Sequence, residues 1–423
     1  MKNNPLHIVF SGGGTAGHLF PGLAVAEQLS AMIPRVRITF CGGGKPFERQ
    51  TAANAGFDFF SLPSRPLPHG AREAVSFVVE NLAGYMAASR FLREEHVAAV
   101  VGLGGYVSVP MGRAAIRRGV PLVLLEQNAV PGRATRWLAR RATLVCAAFD
   151  EAIAGLRCRC PVRVTGNPIR FGFDRDTQLT LSTIAVQSEK RREGEGEKGR
   201  GGGSLTRLSR CRDDLSPSLL VSPSPPLHSS CPPSQLLILG GSGGAHSLNE
   251  SVPRALYKIR HQLAEWRIVH QSGQADLDAT KLLYEKLDLP AAVVPFVGDM
   301  PSTLRTTDLA ICRAGGTTLA ELSAAGVPAV LLPYPHATDD HQLANARHFS
   351  AGGGCVTIDE REISDRLDDR LADVLCFLLA NDALRQQMSA AMHGLARPTA
   401  AQDVAELIWS IVSSRSLQAE PAM

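Results

Sequence analysis

No stretch of this sequence approaches the roughly 20 consecutive apolar residues that a bilayer-spanning helix requires. Any contact with a membrane is therefore expected to be peripheral. The opening Lys2-Asn3-Asn4-Pro5 lacks a signal-peptide pattern and leads straight into a strand and a glycine turn. Charge of one sign is scarce: 44 Lys and Arg against 40 Asp and Glu leave a formal +4. That suits an acidic ligand or an anionic surface but gives no argument for nucleic acid. No Asp-x-Asp pair stands at a strand end. Asp339-Asp340 and Asp368-Asp369 are adjacent pairs at or near helix starts and read as caps or solvated faces. This disfavours a metal-dependent sugar transferase, so neither a metal nor a cofactor is expected. The nine cysteines are odd in number, and Cys41, Cys146, Cys312 and Cys355 sit in apolar strand-like runs. They read as reduced thiols of a cytosolic compartment. Cys158 and Cys160 have the wrong spacing for a zinc knuckle.

What the sequence does have is glycine at strand ends. Ser11-Gly12-Gly13-Gly14-Thr15-Ala16-Gly17-His18 follows the apolar His7-Ile8-Val9-Phe10. Gly240-Gly241-Ser242-Gly243-Gly244-Ala245-His246 follows Leu236-Leu237-Ile238-Leu239 in the same manner. A third turn, Gly102-Leu103-Gly104-Gly105-Tyr106, closes the strand Val97–Gly102. The first two read as strand, tight turn and amphipathic helix, which point backbone N–H groups and a helix N-terminus at an anion. Two such units predict two open α/β domains facing a shared cleft, and a reaction between two phosphate-bearing partners. Plain tight turns are the other reading. A dinucleotide site would need an acidic residue after the second strand, but Arg37–Cys41 runs into Gly42-Gly43-Gly44, which argues against NAD.

Short, continuously apolar strands alternate with helices along the 423 residues. Strands are predicted at Ile8–Phe10, Val36–Cys41, Val97–Gly102 and Pro121–Leu125, with helices at Pro21–Met32 and Val75–Glu94. The second half repeats the rhythm at Leu236–Leu239, Arg267–His270, Ala292–Phe296, Leu309–Cys312, Ala329–Leu332 and Cys355–Ile358. Leu371–Ala380, Ala383–Leu395 and Ala401–Ser413 close the chain as helices. The pattern implies right-handed βαβ units and doubly wound parallel sheets. Between the halves, residues 174–234 are rich in Gly, Ser, Pro and mixed charge, a composition that reads as a disordered interdomain insertion. The expected domains are thus 1–173 and 235–398, with 399–423 a helix and tail returning to the first.

Several residues could carry chemistry. His18 begins a helix, whose dipole keeps the imidazole neutral and able to accept a hydroxyl proton; capping or packing is the alternative. Glu126-Gln127-Asn128 ends a buried strand and points into the cleft, unless it is an ordinary loop cluster. Arg313-Ala314-Gly315-Gly316-Thr317-Thr318-Leu319-Ala320-Glu321 places two hydroxyls in a helix's first turn and a glutamate about a turn further on. The first can hold a phosphate and the second both hydroxyls of a ribose; a capped helix is the alternative. Gln342 and Asn345 share a helix face and could read sugar hydroxyls, or merely begin a polar helix.

Together these stretches resemble the MurG family of peptidoglycan glycosyltransferases, two-domain enzymes of GT-B architecture. The resemblance also takes in Phe20-Pro21-Gly22-Leu23-Ala24, Gly166-Asn167-Pro168-Ile169-Arg170, His270-Gln271-Ser272-Gly273, Phe296-Val297-Gly298-Asp299-Met300 and His341-Gln342. It implies inverting transfer of N-acetylglucosamine from UDP-GlcNAc to the MurNAc C4 hydroxyl of lipid I, the undecaprenyl-diphosphate-linked pentapeptide sugar, giving lipid II and UDP. By that resemblance Thr15, Ala16, Gly17, Asn128, Arg170, Ser242, Val297, Gly316, Thr317, Thr318, Leu319, Ala320, Glu321 and Gln342 bind the donor. Glu321 would hold the ribose and the Val297 backbone would read uracil. Gly13, Gly14, Gly104 and Gly105 would face the acceptor's diphosphate, and His18 would be the base.

The resemblance further implies a place on the cytoplasmic face of the inner membrane, and leaves room for other cell-wall synthesis proteins as partners. For the membrane contact the candidates are Phe77, Val78 and Tyr85 beside Arg90 and Arg93, and Arg133, Arg136, Arg140 and Arg141 near Trp137 and Leu138. A related GT-B transferase with another lipid acceptor and a non-catalytic UDP-sugar-binding protein remain alternatives.

Overall fold

The computed structural model describes residues 5–68, 70–170, 172, 233–241, 243–363 and 366–418. The expected insertion, 174–234, lies outside the described residues except at its last two positions, and Ser242 also lies outside them. The first half forms a seven-stranded sheet from β1 (His7–Gly12), β2 (Arg37–Gly42), β3 (Asp58–Ser61), β4 (Ala99–Gly104), β5 (Leu122–Glu126), β6 (Leu144–Ala147) and β7 (Val162–Val164). Its order is β3-β2-β1-β4-β5-β6-β7, with every pairing parallel. The second half forms a six-stranded sheet from β8 (Ser234–Leu239), β9 (Trp266–Gln271), β10 (Ala292–Val294), β11 (Leu309–Cys312), β12 (Ala329–Leu331) and β13 (Cys355–Thr357). That sheet is also wholly parallel, in the order β10-β9-β8-β11-β12-β13. Each is a doubly wound sheet whose order reverses beside its first strand, at β1/β4 and β8/β11. Such reversals open a crevice at the strands' carboxyl ends, where the glycine turns lie.

The continuous apolar runs are buried because both faces of each sheet are covered. Ile8, Phe10, Phe40 and Val101 pack on one face of the first sheet, and Val9, Cys41 and Val100 on the other. Successive residues of a strand thus enter different cores. The helix Ala400–Gln418 completes the first of these two cores, where Val404, Ala405, Ile408 and Val412 are buried with Leu19, Leu23, Val25 and Leu29. The chain therefore crosses between the sheets twice.

The structure moves some expected boundaries. The first helix runs from Ala16 to Met32 and contains Pro21, rather than starting there. A proline has no N–H, so the carbonyl four residues back, that of Gly17, is left without its helical partner. The third glycine run is mostly strand, with β4 continuing to Gly104. Leu103 packs into hollows beside Gly12 and Gly22, where an added Cβ would come within 2.6 Å of its side chain. Strands β3, β6 and β7 and the helix Pro46–Asn54 add to the elements read from the sequence. They are short, and β3 and β7 are only partly buried, so their apolar pattern is weak.

Candidate active site

On the first domain, the turn after β1 passes through Gly14 at φ +89°, a conformation that favours glycine. Thr15 then opens the helix, with its Oγ1 2.9 Å from His18 Nδ1. With Nδ1–H donating to that oxygen, Nε2 keeps its lone pair. This nitrogen faces the β4 turn: a Cβ on Gly104 would lie 3.2 Å from it. Gly105 stands beside the first turn, where a Cβ would come 3.3 Å from the Gly13 carbonyl oxygen. Burial, assisted by the nearby His341, pushes the His18 pKa down to about 4. The imidazole is therefore neutral across the physiological range.

Glu48, which the sequence reading passed over, sits beneath this turn and is 1% exposed. Oε1 accepts from the Gly14 N–H at 2.7 Å, and Oε2 from the N–H groups of Gly44 and Lys45 at 2.9 and 3.1 Å. The Gly14 N–H is thus already bonded, so the turn offers an anion fewer donors than its glycines suggest.

The strand-end cluster Glu126-Gln127-Asn128 is internally engaged. Glu126 Oε2 accepts from the Gly132 N–H at 3.0 Å, and Oε1 from the Asn128 N–H at 3.2 Å. Burial raises the Glu126 pKa, while these bonds hold it down. The carboxylate shapes the 126–132 loop rather than facing a substrate. Gln127 Nε2 donates to the Leu103 carbonyl at 3.0 Å. Asn128 presents Oδ1 to the second domain, where Asn345 Nδ2 donates to it at 3.1 Å. Asn345 also accepts from the Ala129 N–H at 2.8 Å and donates to the Ala314 carbonyl at 3.0 Å. Fully buried, it is a clasp between the domains and not the sugar reader expected from its helix position.

Across the seam, β11 leads through Gly315 into the helix Gly316–Ala325. Thr317 Oγ1 donates to the Gly17 carbonyl at 2.9 Å, the group that Pro21 leaves free, and accepts from Asn167 Nδ2 at 3.2 Å. Leu319 is fully buried in the second domain's core, so only its backbone could meet a ligand. Thr318 remains in the helix's first turn, and Ala320 packs at the edge of that core. Glu321 is 6% exposed, and its Oε1 accepts from Arg170 Nη2 at 3.0 Å and Nε at 3.3 Å. The Arg170 guanidinium lies over the Phe20 ring, 4.2 Å from its centre. Burial raises the Glu321 pKa and Arg170 opposes the rise.

Nearby loops are braced by side chains. The Val297 N–H donates to Gln271 Oε1 at 2.9 Å, and Gln271 Nε2 donates to the Gly241 carbonyl at 2.9 Å. Gln271 therefore holds the expected uracil-reading backbone, and its place at a strand's carboxyl end was the available signal. Gln342 Oε1 accepts from the Tyr334 N–H at 2.9 Å. Arg313 donates to the Leu332 carbonyl at 3.0 Å and pairs with Glu360, so it ties loops together behind the site.

The seam is tightest at Gly316, where an added Cβ would lie 2.0 Å from the Gln127 carbonyl oxygen. Neither backbone can yield without shifting the domains. Gly316→Ala is expected to lower kcat/KM on the order of a hundredfold, the effect of displacing a reacting group by about 1 Å. Circular dichroism should stay native. Turnover within threefold of the unmodified protein would mean that the seam need not close this tightly.

Comparison with known proteins bears on the family and the fold. The glycosyltransferase family 28 N-terminal domain matches residues 8–147, and the C-terminal domain of the same family matches residues 235–406. A UDP-N-acetylglucosamine--N-acetylmuramyl-(pentapeptide) pyrophosphoryl-undecaprenol N-acetylglucosamine transferase of Methylococcus capsulatus is 35% identical over 95% of this chain and 97% of its own. The Geobacter sulfurreducens protein of that description is 32% identical over the same shares. The crystal structure of Acinetobacter baumannii MurG superposes with a TM-score of 0.66 at 29% identity, covering 96% of this chain and 100% of its own. A UDP-GlcNAc 2-epimerase from Neisseria meningitidis, at 10% identity and a TM-score of 0.59, shares the fold alone. With both domain types present in order and near-complete coverage by these relatives, the chain belongs to glycosyltransferase family 28 and has the GT-B fold.

Proposed function

We propose that this protein transfers N-acetylglucosamine from UDP-GlcNAc to the MurNAc C4 hydroxyl of lipid I, giving lipid II and UDP. The observation that carries the reading is the pairing across the seam. The neutral His18 stands on the acceptor side, and the Gly316 helix with its Glu321–Arg170 pair on the donor side. Glu321 Oε1 carries both Arg170 bonds, which leaves Oε2 for the ribose hydroxyls. The N-terminus of the Gly316–Ala325 helix faces the donor diphosphate, and its dipole favours the charge that grows as UDP departs. Thr15, Ala16, Gly17, Asn128, Val297 and Gln342 complete the donor's surroundings, with Ser242 assigned by the family resemblance alone.

The chemistry is one displacement with inversion. The C4 oxygen attacks the anomeric carbon, the bond to the UDP oxygen breaks with its electron pair, and the hydroxyl proton passes to His18 Nε2. A base of such low pKa takes the proton late, once bonding to carbon has made the hydroxyl acidic.

The acceptor's lipid tail requires a membrane contact, and no helix among the described residues is long and apolar enough to cross one. On the helix Ala71–Glu94, Val75, Val78, Val79, Leu82 and Met86 are 54–71% exposed and fall on one stripe. This stripe supports a peripheral membrane contact, and the lipid I reading assigns that contact to the cytoplasmic face of the inner membrane. It replaces Phe77 and Tyr85, which are half-buried, while retaining Val78. Val79→Glu with Leu82→Glu is expected to reduce sedimentation with anionic vesicles about tenfold or more, since each change removes apolar contact and adds like charge. Undiminished sedimentation would move the membrane contact elsewhere.

The direct test incubates the protein with radiolabelled UDP-GlcNAc and a short-chain lipid I analogue in EDTA. Labelled disaccharide lipid is the expected product. No product, with UDP-GlcNAc still bound and a MurG control active, would shift the reading to another lipid acceptor or to a binding role.

A further inference from the structure

The first glycine turn is occupied from below by a charge. Glu48 is almost fully buried and gathers the N–H groups of Gly14, Gly44 and Lys45, so one carboxylate joins the loops after β1 and β2. Its closeness to the turn is severe: a Cβ on Gly13 would lie 2.4 Å from Oε1. A diphosphate brought to this turn meets a fixed carboxylate and one N–H already turned away from it. Binding an anion here therefore requires a cation beside the turn.

Two cations stand nearby, Lys45 at the end of the loop after β2 and Arg49 in the helix Pro46–Asn54 that follows. Arg49 is already engaged: its Nε donates to the Gly44 carbonyl at 3.4 Å, its Nη2 to Ser61 Oγ at 2.6 Å, and its guanidinium lies 5.5 Å from the centre of the Phe59 ring. Lys45 is different. Its backbone is fixed by Glu48, its side chain is exposed, and its Nζ donates to the Gly14 carbonyl at 3.3 Å. That exposed contact can be exchanged for a better acceptor. Gly105 approaches the same turn at the Gly13 carbonyl.

We propose that Lys45 is the cation that receives the acceptor's diphosphate, and that Glu48 is the positioning residue that holds both Lys45 and the turn in place. The inference rests on the lipid I reading above. It shifts the charge recognition from the glycine N–H groups to a side chain.

Steady-state kinetics with the short-chain lipid I analogue test it. Lys45→Met is expected to raise the acceptor KM about tenfold or more, with kcat and the UDP-GlcNAc KM within twofold of the unmodified protein. Lys45→Arg should restore the acceptor KM to within about threefold. The acceptor KM of the unmodified protein should rise with salt, and Lys45→Met should flatten that dependence. Glu48→Gln keeps the shape but presents an amide to three N–H donors, and should raise the acceptor KM while sparing the UDP-GlcNAc KM. An unchanged acceptor KM in Lys45→Met, with the unmodified protein active, overturns this inference alone. An unmodified protein that labels no lipid overturns the acceptor assignment and this inference with it.

Discussion

Replacing His18 with alanine is expected to lower kcat by about 10² to 10⁴, the usual contribution of a positioned base. The UDP-GlcNAc KM should change less, because His18 Nε2 faces Gly104 on the acceptor side rather than the donor helix. The pH profile gives a second reading. Burial holds the pKa at about 4, below the usual 6.5, so the base form persists as pH falls through 6 and 5. The acid limb of kcat/KM should therefore lie near pH 4, once losses from unfolding are excluded. Linkage has the same sign. Between pH 6.5 and 4 the unfolded chain binds the proton more readily than the folded one, so stability falls on acidification through that window. Near-normal turnover of His18→Ala at saturating substrates would remove His18 from the chemistry.

Glu321→Ala should have the next largest effect. It removes the proposed ribose acceptor and the carboxylate that takes two Arg170 bonds, while the Arg170 guanidinium keeps its place over the Phe20 ring. Loss of a charged hydrogen bond costs about 1.5–3 kcal/mol. The UDP-GlcNAc KM should accordingly rise by roughly ten- to a hundredfold, while the acceptor KM stays near its original value. Stability should fall far less. Burial raises the Glu321 pKa, meaning that the fold itself disfavours the ionised carboxylate, and Arg170 offsets this only in part. Calorimetric titration with UDP separates the two effects. A dissociation constant within threefold of the unmodified protein would mean that Glu321 serves the Arg170 pair and not the nucleotide.

The relation of sequence to structure differs from residue to residue. Ile8, Val9 and Phe10 were legible as a buried strand because continuous apolar residues suit a parallel sheet covered on both faces. Gly315 and Gly316 were legible as a helix entry, although the closeness of Gly316 to Gln127 was not. Glu48 carried no signal in the sequence, because its contact with Gly14 appears only when two loops are brought side by side. Asn345 was legible as sharing a helix face with Gln342, open to sugar hydroxyls or part of a polar helix start, yet the opposite domain covers it. The exposed stripe of the helix Ala71–Glu94 was misjudged by sequence because Tyr85 is large and aromatic but packs against the underlying core.

The sequence by itself determined the two doubly wound sheets, the glycine turns at their carboxyl ends and the family. These follow from local apolar runs, turn residues and motif order, which need no knowledge of distant partners. The tertiary structure decided how the halves meet. The Gly17 carbonyl is left open by Pro21 within its own helix, but the hydroxyl that closes it comes from Thr317, 300 residues away. Arg170 and Glu321, 151 residues apart, likewise become a pair only at the seam. Such contacts have no local signature, because each group's need for a partner is written in the sequence while the partner's identity depends on packing two domains together.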